Sequence, residues 1–222
     1  MPMTQENCFR SDLPYAGRWD LEFNIKPGDK VLDIGSGDRP FPYATHLLDM
    51  KINNPLQARY GDKVVNPGDK TFINGTSEDM SMFGDKEFDF IYTNHTLEHI
   101  QNLPKALCEI SRVGKRGFVA CPSYEFEVLL RPRKDGHIWF LSYNNDILHI
   151  RKRQEYEYDD RLAELMTMVY WGIPQLTNHL ESHNCSGARY IWEIRFMWID
   201  KIDFIIDDSL FPQGKLMSMY HR

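Results

Sequence analysis

A chain of 222 residues with 42% hydrophobic and 26% charged residues has the composition of an ordinary globular protein and can bury a sizeable core. Its net charge of −6 and pI near 5.7 argue against nucleic acid as the bulk partner, because phosphate binding needs a basic surface. No run approaches the roughly 18 apolar residues of a membrane span. The opening "MPMTQENCFRSDLPY" has no basic segment followed by an apolar core, so no secretory leader is expected. Cys8, Cys108, Cys121 and Cys185 are scattered without a CxxC pair, which predicts neither a disulfide framework nor a zinc site, and a reducing cytoplasm. A single domain over 1–222 is expected.

Apolar runs alternate with helical patterns through the first half, the signature of a parallel α/β sheet. Strands are predicted at "KVLDIG" (30–35), "THLLDM" (45–50), "TFING" (71–75), "FDFIYTN" (88–94) and "RGFVACP" (116–122). A helix is predicted at "LPKALCEISRVG" (103–114), with Gly114 as its stop. The pattern then changes. "HIWFLSYNNDILHIRKR" (137–153) reads as two short strands around an Asn-Asn-Asp turn, part of an inserted cap over about 124–157. Helical stretches are expected at 158–172 and 174–184. In "RYIWEIRFMWIDKIDFIID" (189–207), Trp192, Ile194, Phe196 and Trp198 alternate with Glu193 and Arg195, predicting a terminal antiparallel β-hairpin turned at Asp200-Lys201.

The stretch "VLDIGSGDRPFPYATHLLDM" (31–50) poses the functional question. A glycine turn after the first strand lets a ligand approach the backbone. The dinucleotide pattern G-x-G-x-x-G is incomplete, since Pro40 stands where its third glycine belongs. The phosphate-cradling G-x-x-x-x-G-K-[ST] is absent. Pro40 and Pro42 cut short the helix that should follow. Asp33, at the start of the turn, suits a cationic or hydroxyl-bearing ligand better than a phosphate. Asp49, at the end of the second strand, stands where an acid binds ribose hydroxyls in doubly wound folds; a solvated strand-end Asp is the alternative.

"VLDIGSG", "THLLDM" and "NGTSEDMSMFGDKEFDFIYTNHTLEHIQNLPKALCEISRVGKRGFVACPS", in this order, resemble a class I S-adenosylmethionine-dependent methyltransferase of the broad methyltransferase-11 type, over roughly residues 28–123. The turn further resembles a subgroup with a Pro-rich shortened first crossover, found among glycan-assembly and small-molecule methyltransferases. That subgroup carries an HxW element, matched by His137-Ile138-Trp139. The resemblance implies a Rossmann-like α/β fold: a seven-stranded, mostly parallel sheet with helices on both faces. It implies S-adenosyl-L-methionine as cofactor and S-adenosyl-L-homocysteine as product. Carried over by position, Asp33, Gly35 and Gly37 would lie along the methionine moiety and Asp49 would bind the ribose. Thr76 and Ser77 would lie over the adenine, with apolar contact from Met80. Thr76 departs from the acid common at its position. Asn94 and His95 would line the methionine end.

Methyl transfer from a sulfonium needs alignment, exclusion of water, and removal of a proton when the acceptor is a hydroxyl. His137 is expected as base, ahead of His95, and His99 is read as structural. Tyr124, Glu125, Arg131, Arg133 and Trp139 are the expected substrate-side residues. The basic runs "LLRPRKDGH" and "HIRKR" suggest an acceptor carrying phosphate or carboxylate, against the commoner reading of a solvated face. No metal is expected, because His95 and His99 straddle a strand–helix junction. Cys121 reads as a buried strand residue rather than a nucleophile. The absence of a "[DN]PP[YF]" motif after the fourth strand disfavours nucleic-acid methylation. The function read here is methylation, by preference O-methylation of a sugar or nucleotide-linked glycan intermediate. A non-catalytic binding module and a protein methyltransferase are the alternatives, and the aromatic C-terminal segment suggests a homodimer interface, against the commoner reading of sheet core.

Overall fold

The computed structural model describes residues 23–37, 40–50, 67–124, 127, 136–153 and 193–206. Strands β1 (Val31–Ile34), β2 (His46–Asp49), β3 (Thr71–Asn74), β4 (Phe90–Asn94) and β5 (Arg116–Pro122) lie parallel in the order β3-β2-β1-β4-β5. Their apolar runs are continuous because both faces are covered. All four residues of β1 are buried.

Alternation along these strands divides the core in two. Leu32, Ile34, Leu48, Ile91, Val119 and Cys121 face the helix α1 (Leu103–Val113). Val31, Leu47, Phe90, Tyr92, Phe118 and Ala120 face a second, aromatic cluster built on Phe23 and Phe41. Helix α1 buries Leu103, Ala106, Leu107, Ile110 and Val113, a single helical stripe. Asn102 caps it by accepting from the Lys105 N–H at 3.2 Å. Gly114 ends it in extended backbone, not in a left-handed turn. Its glycine is demanded by space, since a Cβ there would lie 2.5 Å from Ile91 and 2.9 Å from Trp198.

Strands β6 (Trp139–Asn144) and β7 (Ile147–Lys152) form the hairpin expected in the cap region. Its two-residue turn, Asn145-Asp146, has φ of 50° and 62°, which suits Asn and Asp. Trp139, Leu141, Leu148 and Ile150 pack into the same core as α1.

Among the described residues the main sheet has six strands of the seven expected. One expectation is corrected. The C-terminal strands β8 (Glu193–Ile199) and β9 (Phe204–Ile206) do not pair as a hairpin. β8 runs antiparallel to β5 at the edge of the main sheet, and β9 pairs parallel with β7 in the second sheet. Packing explains the split. Trp198 lies over Gly114 and Gly117, where added Cβ atoms would meet it at 2.9 and 2.8 Å, and this seats β8 beside β5. The chain turns at Asp200, φ 67°, buries Ile202, and is thereby carried to β7. Phe196 and Trp198 are thus core, which removes them from the expected dimer interface. Tyr190, Trp192 and the helices expected at 158–172 and 174–184 lie outside the described residues. Besides α1, Tyr124 and Glu127 are helical among the described residues.

Candidate active site

In an open α/β sheet, ligands bind beyond the carboxyl ends of the strands where strand order reverses. Here that point lies between β1 and β4, because the chain goes from β1 outward to β2 and β3 and then returns to β4. Gly35 and Gly37 follow β1 with φ of 72° and 56°. The Gly35 N–H donates to the Leu48 carbonyl at 2.9 Å. Across the switch point, the Thr96 hydroxyl donates to the Ile34 carbonyl at 3.1 Å. A Cβ on Gly35 would lie 2.4 Å from that hydroxyl oxygen. Thr96, absent from the sequence reading, therefore demands the glycine even before any ligand does.

Asp33 is buried on the aromatic face, and its carboxylate accepts from the Phe41 N–H at 2.7 Å. The Phe41 ring stacks on Tyr92 with centroids 4.1 Å apart. This contact accounts for the truncated crossover: an aromatic side chain between two prolines covers the sheet. Asp33, expected along the ligand, shapes the turn through its bond from the Phe41 N–H.

Asp49 ends β2. Its carboxylate accepts from the Gly37 N–H at 2.8 Å and the Met50 N–H at 2.7 Å. A carboxylate offers about four acceptor positions, so two bonds leave room for ribose hydroxyls. Thr76 accepts from the Glu78 N–H at 3.2 Å, and Ser77 is buried beside it. Met80 is fully buried among core residues and cannot offer a face to adenine, against expectation. Two other methionines are exposed there instead. Met50 is 62% exposed directly after Asp49. The exposed Met82 has its methyl 3.5 Å from where a Gly75 Cβ would stand. A sequence alone does not distinguish these three methionines.

Asn94 ends β4, and His95 follows in left-handed backbone, φ 53°, its N–H donating to the Ala120 carbonyl. Its Nε2 lies 2.6 Å from Glu193 Oε1 on β8, and its Nδ1 lies 3.6 Å from Glu98 Oε1. The side chain is 39% exposed although protein crowds closely round it. Desolvation opposes its charge, but the Glu193 hydrogen bond and the nearby Glu98 outweigh that and raise the pKa to about 10. Glu193 in turn bonds Arg195. Glu98, 1% exposed, is pushed up by burial but held at about 2, chiefly by His95 and further by His99 and His137. Glu193 and Glu98 were not singled out in the sequence. Glu98 hides in the "LEH" triplet, and Glu193 reads as the polar side of an alternating strand.

His137 was expected at an open mouth. Its side chain is 2% exposed, its Nδ1 is 2.6 Å from Glu127 Oε1, and its Nε2 is 4.0 Å from Glu98 Oε1. That burial differs from the open position expected for it. Trp139 is also buried, donating from Nε1 to the Ile100 carbonyl at 2.7 Å, so it is not a substrate contact in this structure. Tyr124 sets its ring edge-on to Phe140 at 5.0 Å. The basic run "HIRKR" turns inward: Arg151 and Arg153 lie over the Phe140 ring, and Arg153 pairs with Glu127 at 2.9 Å. Glu125, Arg131 and Arg133 lie outside the described residues. Cys121 is fully buried, and burial, with the charges of Glu98, Glu193 and Glu127, pushes its thiol pKa up. It is no thiolate nucleophile.

Residues 32–121 match the family model described as a methyltransferase domain. The YcgJ protein of Bacillus subtilis is 24% identical over 43% of this chain and 44% of its own, with a TM-score of 0.32. A SAM-dependent methyltransferase from Aquifex aeolicus is 20% identical over 44% and 58%, TM-score 0.32. The PH0226 protein of Pyrococcus horikoshii is 15% identical over 67% and 74%, TM-score 0.38. The matched part spans less than two thirds of the first two chains. No curated protein matches the chain.

Proposed function

Taking as premise that residues 32–121 belong to the class I S-adenosylmethionine-dependent methyltransferases, with S-adenosylmethionine as cofactor, we propose that the whole protein is a methyltransferase acting on a small polar acceptor. The observation that carries this reading is the arrangement at the sheet's carboxyl edge. Two left-handed glycines, the Asp49 carboxylate with acceptor positions to spare, and His95 all follow neighbouring strands.

The bound cofactor supplies an activated methyl group on sulfur. The chain's own residues hold and align. Asp49, which keeps the turn closed through Gly37, would accept from ribose hydroxyls. Thr76 and Ser77, with Met50 and Met82, would hold the adenine. Gly35, Gly37 and Asn94 would hold the methionine end. His95 is charged at neutral pH and does not take a proton there. It orients Glu193 through their 2.6 Å contact.

The acceptor we favour is a hydroxyl of a sugar or nucleotide-linked glycan intermediate, aligned so that its proton leaves as the new bond forms. The Glu193 carboxylate favours a hydroxyl-rich partner over a polyanion. The inward-turned Arg151 and Arg153 weaken the case for phosphate recognition. Tyr124 remains a substrate-side candidate, with Glu125, Arg131 and Arg133. A reducing, cytoplasmic setting suits the unpaired thiols of Cys108 and Cys121. Among the described residues no helix is long and apolar enough to cross a membrane. Calorimetry with S-adenosylmethionine, followed by transfer of a labelled methyl group to a panel of sugars and nucleotide sugars, tests the reading. Saturable binding with label in a sugar is expected. Absence of binding removes the function, and binding without transfer to any acceptor leaves a binding module.

A further inference from the structure

Glu98, His99 and His137 converge beneath the site just described. Glu98 and His99 belong to the 3-10 turn Leu97–His99, and His137 precedes β6. One Glu98 oxygen lies 3.9 Å from His99 Nε2 and 4.0 Å from His137 Nε2. The two rings meet edge to face with centroids 4.3 Å apart. One ligand atom from each residue falls within 4.8 Å of the others.

The hydrogen bonds fix what these rings present. His99 Nδ1 lies 3.2 Å from the Gly136 carbonyl, which only accepts, so Nδ1 carries the proton. His137 Nδ1 lies 2.6 Å from the Glu127 carboxylate, with the same consequence. Each ring therefore turns its Nε2 edge toward a buried carboxylate. Neither Glu98 oxygen accepts a hydrogen bond among the described residues. A buried carboxylate without donors is costly. His95, with Nδ1 3.6 Å from the same oxygen, offsets part of the charge but gives it no hydrogen bond.

We propose that Glu98, His99 and His137 form a three-ligand site for a divalent transition metal, zinc by its donor set. Two imidazole nitrogens and one carboxylate with a fourth position open are an established zinc environment. Tetrahedral ligation at zinc distances sets ligand atoms about 3.4 Å apart. The two Glu98–imidazole separations thus need to close by roughly half an ångström, and the widest pair of the three by up to about 1.4 Å. The second layer is in place: Glu127 grips the far nitrogen of His137 and is itself held by Arg153 at 2.9 Å. The metal ties the residues entering β6 to the turn after β4, where the Ile138 N–H already donates to the Glu98 carbonyl at 2.7 Å. The site is independent of the methyltransferase reading.

The test uses the full chain, stripped with a chelator and titrated with zinc alone against a competing chelator, and with cobalt monitored by its visible absorption. One equivalent of zinc, the visible bands of four-coordinate cobalt, and a raised melting temperature are expected. His99→Gln and Glu98→Gln should lose that equivalent, and Glu127→Gln should weaken it about 10–100-fold. His46→Gln, remote from the cluster, should keep it. A wild-type protein that takes up neither metal overturns the proposal without recourse to variants. Full zinc stoichiometry and affinity in folded His99→Gln protein overturns it equally.

Discussion

His95 and Glu193 stand 98 residues apart in the chain and 2.6 Å apart in the fold, imidazole Nε2 against carboxylate Oε1. The bond joins the end of β4 to the edge strand β8 and keeps the imidazole charged. A group whose folded pKa is raised adds stability that is full below its unfolded value, here about 6.5, and is lost as pH rises toward the folded value of about 10. Melting temperature should therefore decline across that window. Glu193→Gln should flatten the decline and move the His95 titration, followed by nuclear magnetic resonance, back toward neutral pH. A titration unmoved in that variant would show that Glu193 is not what holds the charge.

Glu98 has the opposite sign. Its folded pKa of about 2 lies below the unfolded 4.5, so its contribution is present above 4.5 and lost as acid carries the protein toward pH 2. Glu98→Gln should show a shallower acid limb in the melting temperature than the parent. An identical limb would mean that the charge of Glu98 contributes nothing to the folded state.

Gly35→Ala should cost about 1–3 kcal/mol for left-handed backbone alone, before the contact at 2.4 Å with the Thr96 hydroxyl. Thr96→Ala removes the two nearest atoms, so the double variant should recover part of the loss in urea unfolding. Additive losses would show that Thr96 does not set the need for glycine.

Asp49→Ala should weaken S-adenosylmethionine binding by about 1–3 kcal/mol through hydroxyls left without an acceptor. Asp49→Asn keeps one acceptor oxygen and should fall between. Calorimetry giving equal affinities for all three proteins would remove Asp49 from the ribose site.

Alkylation followed by peptide mapping should label Cys108, which is exposed on α1, and spare Cys121 until the protein is unfolded. Trp139→Phe should destabilise the fold by about 1–3 kcal/mol, since the Ile100 carbonyl loses its donor. The same substitution should leave cofactor affinity unchanged.

The first five strands were legible within one or two residues, because a two-faced parallel sheet writes itself as continuous apolar runs closed by turns. Helix α1 was legible over 103–114 with Gly114 marking its end. Residues whose position follows from backbone alone, Gly35, Asp49 and His95, lie along the carboxyl edge as expected. Residues whose role depends on a distant partner did not fall where expected. His137 and Trp139 look like a cap element reaching over a mouth, but Glu127 and the Ile100 carbonyl draw both inward. Arg151 and Arg153 look like a solvated basic face, but the Phe140 ring lies under both. Alternation correctly put Phe196 and Trp198 on one side of a strand. It carried no information on whether the next strand would fold back or leave for another sheet.

The Pro40–Pro42 crossover bears on how the chain folds. Asp33 and Phe41 are separated by 8 residues and Val31 and Thr45 by 14, so β1 can find β2 by closing a short loop. Joining His95 to Glu193 spans 98 and costs about 2 kcal/mol more closure entropy than the Asp33–Phe41 contact. β1, its crossover and β2 therefore make a low-contact-order nucleus with Phe41 at its centre, and docking of β8 is the late step. Substitutions at Phe41 should slow refolding, whereas substitutions at Trp198 should mainly speed unfolding.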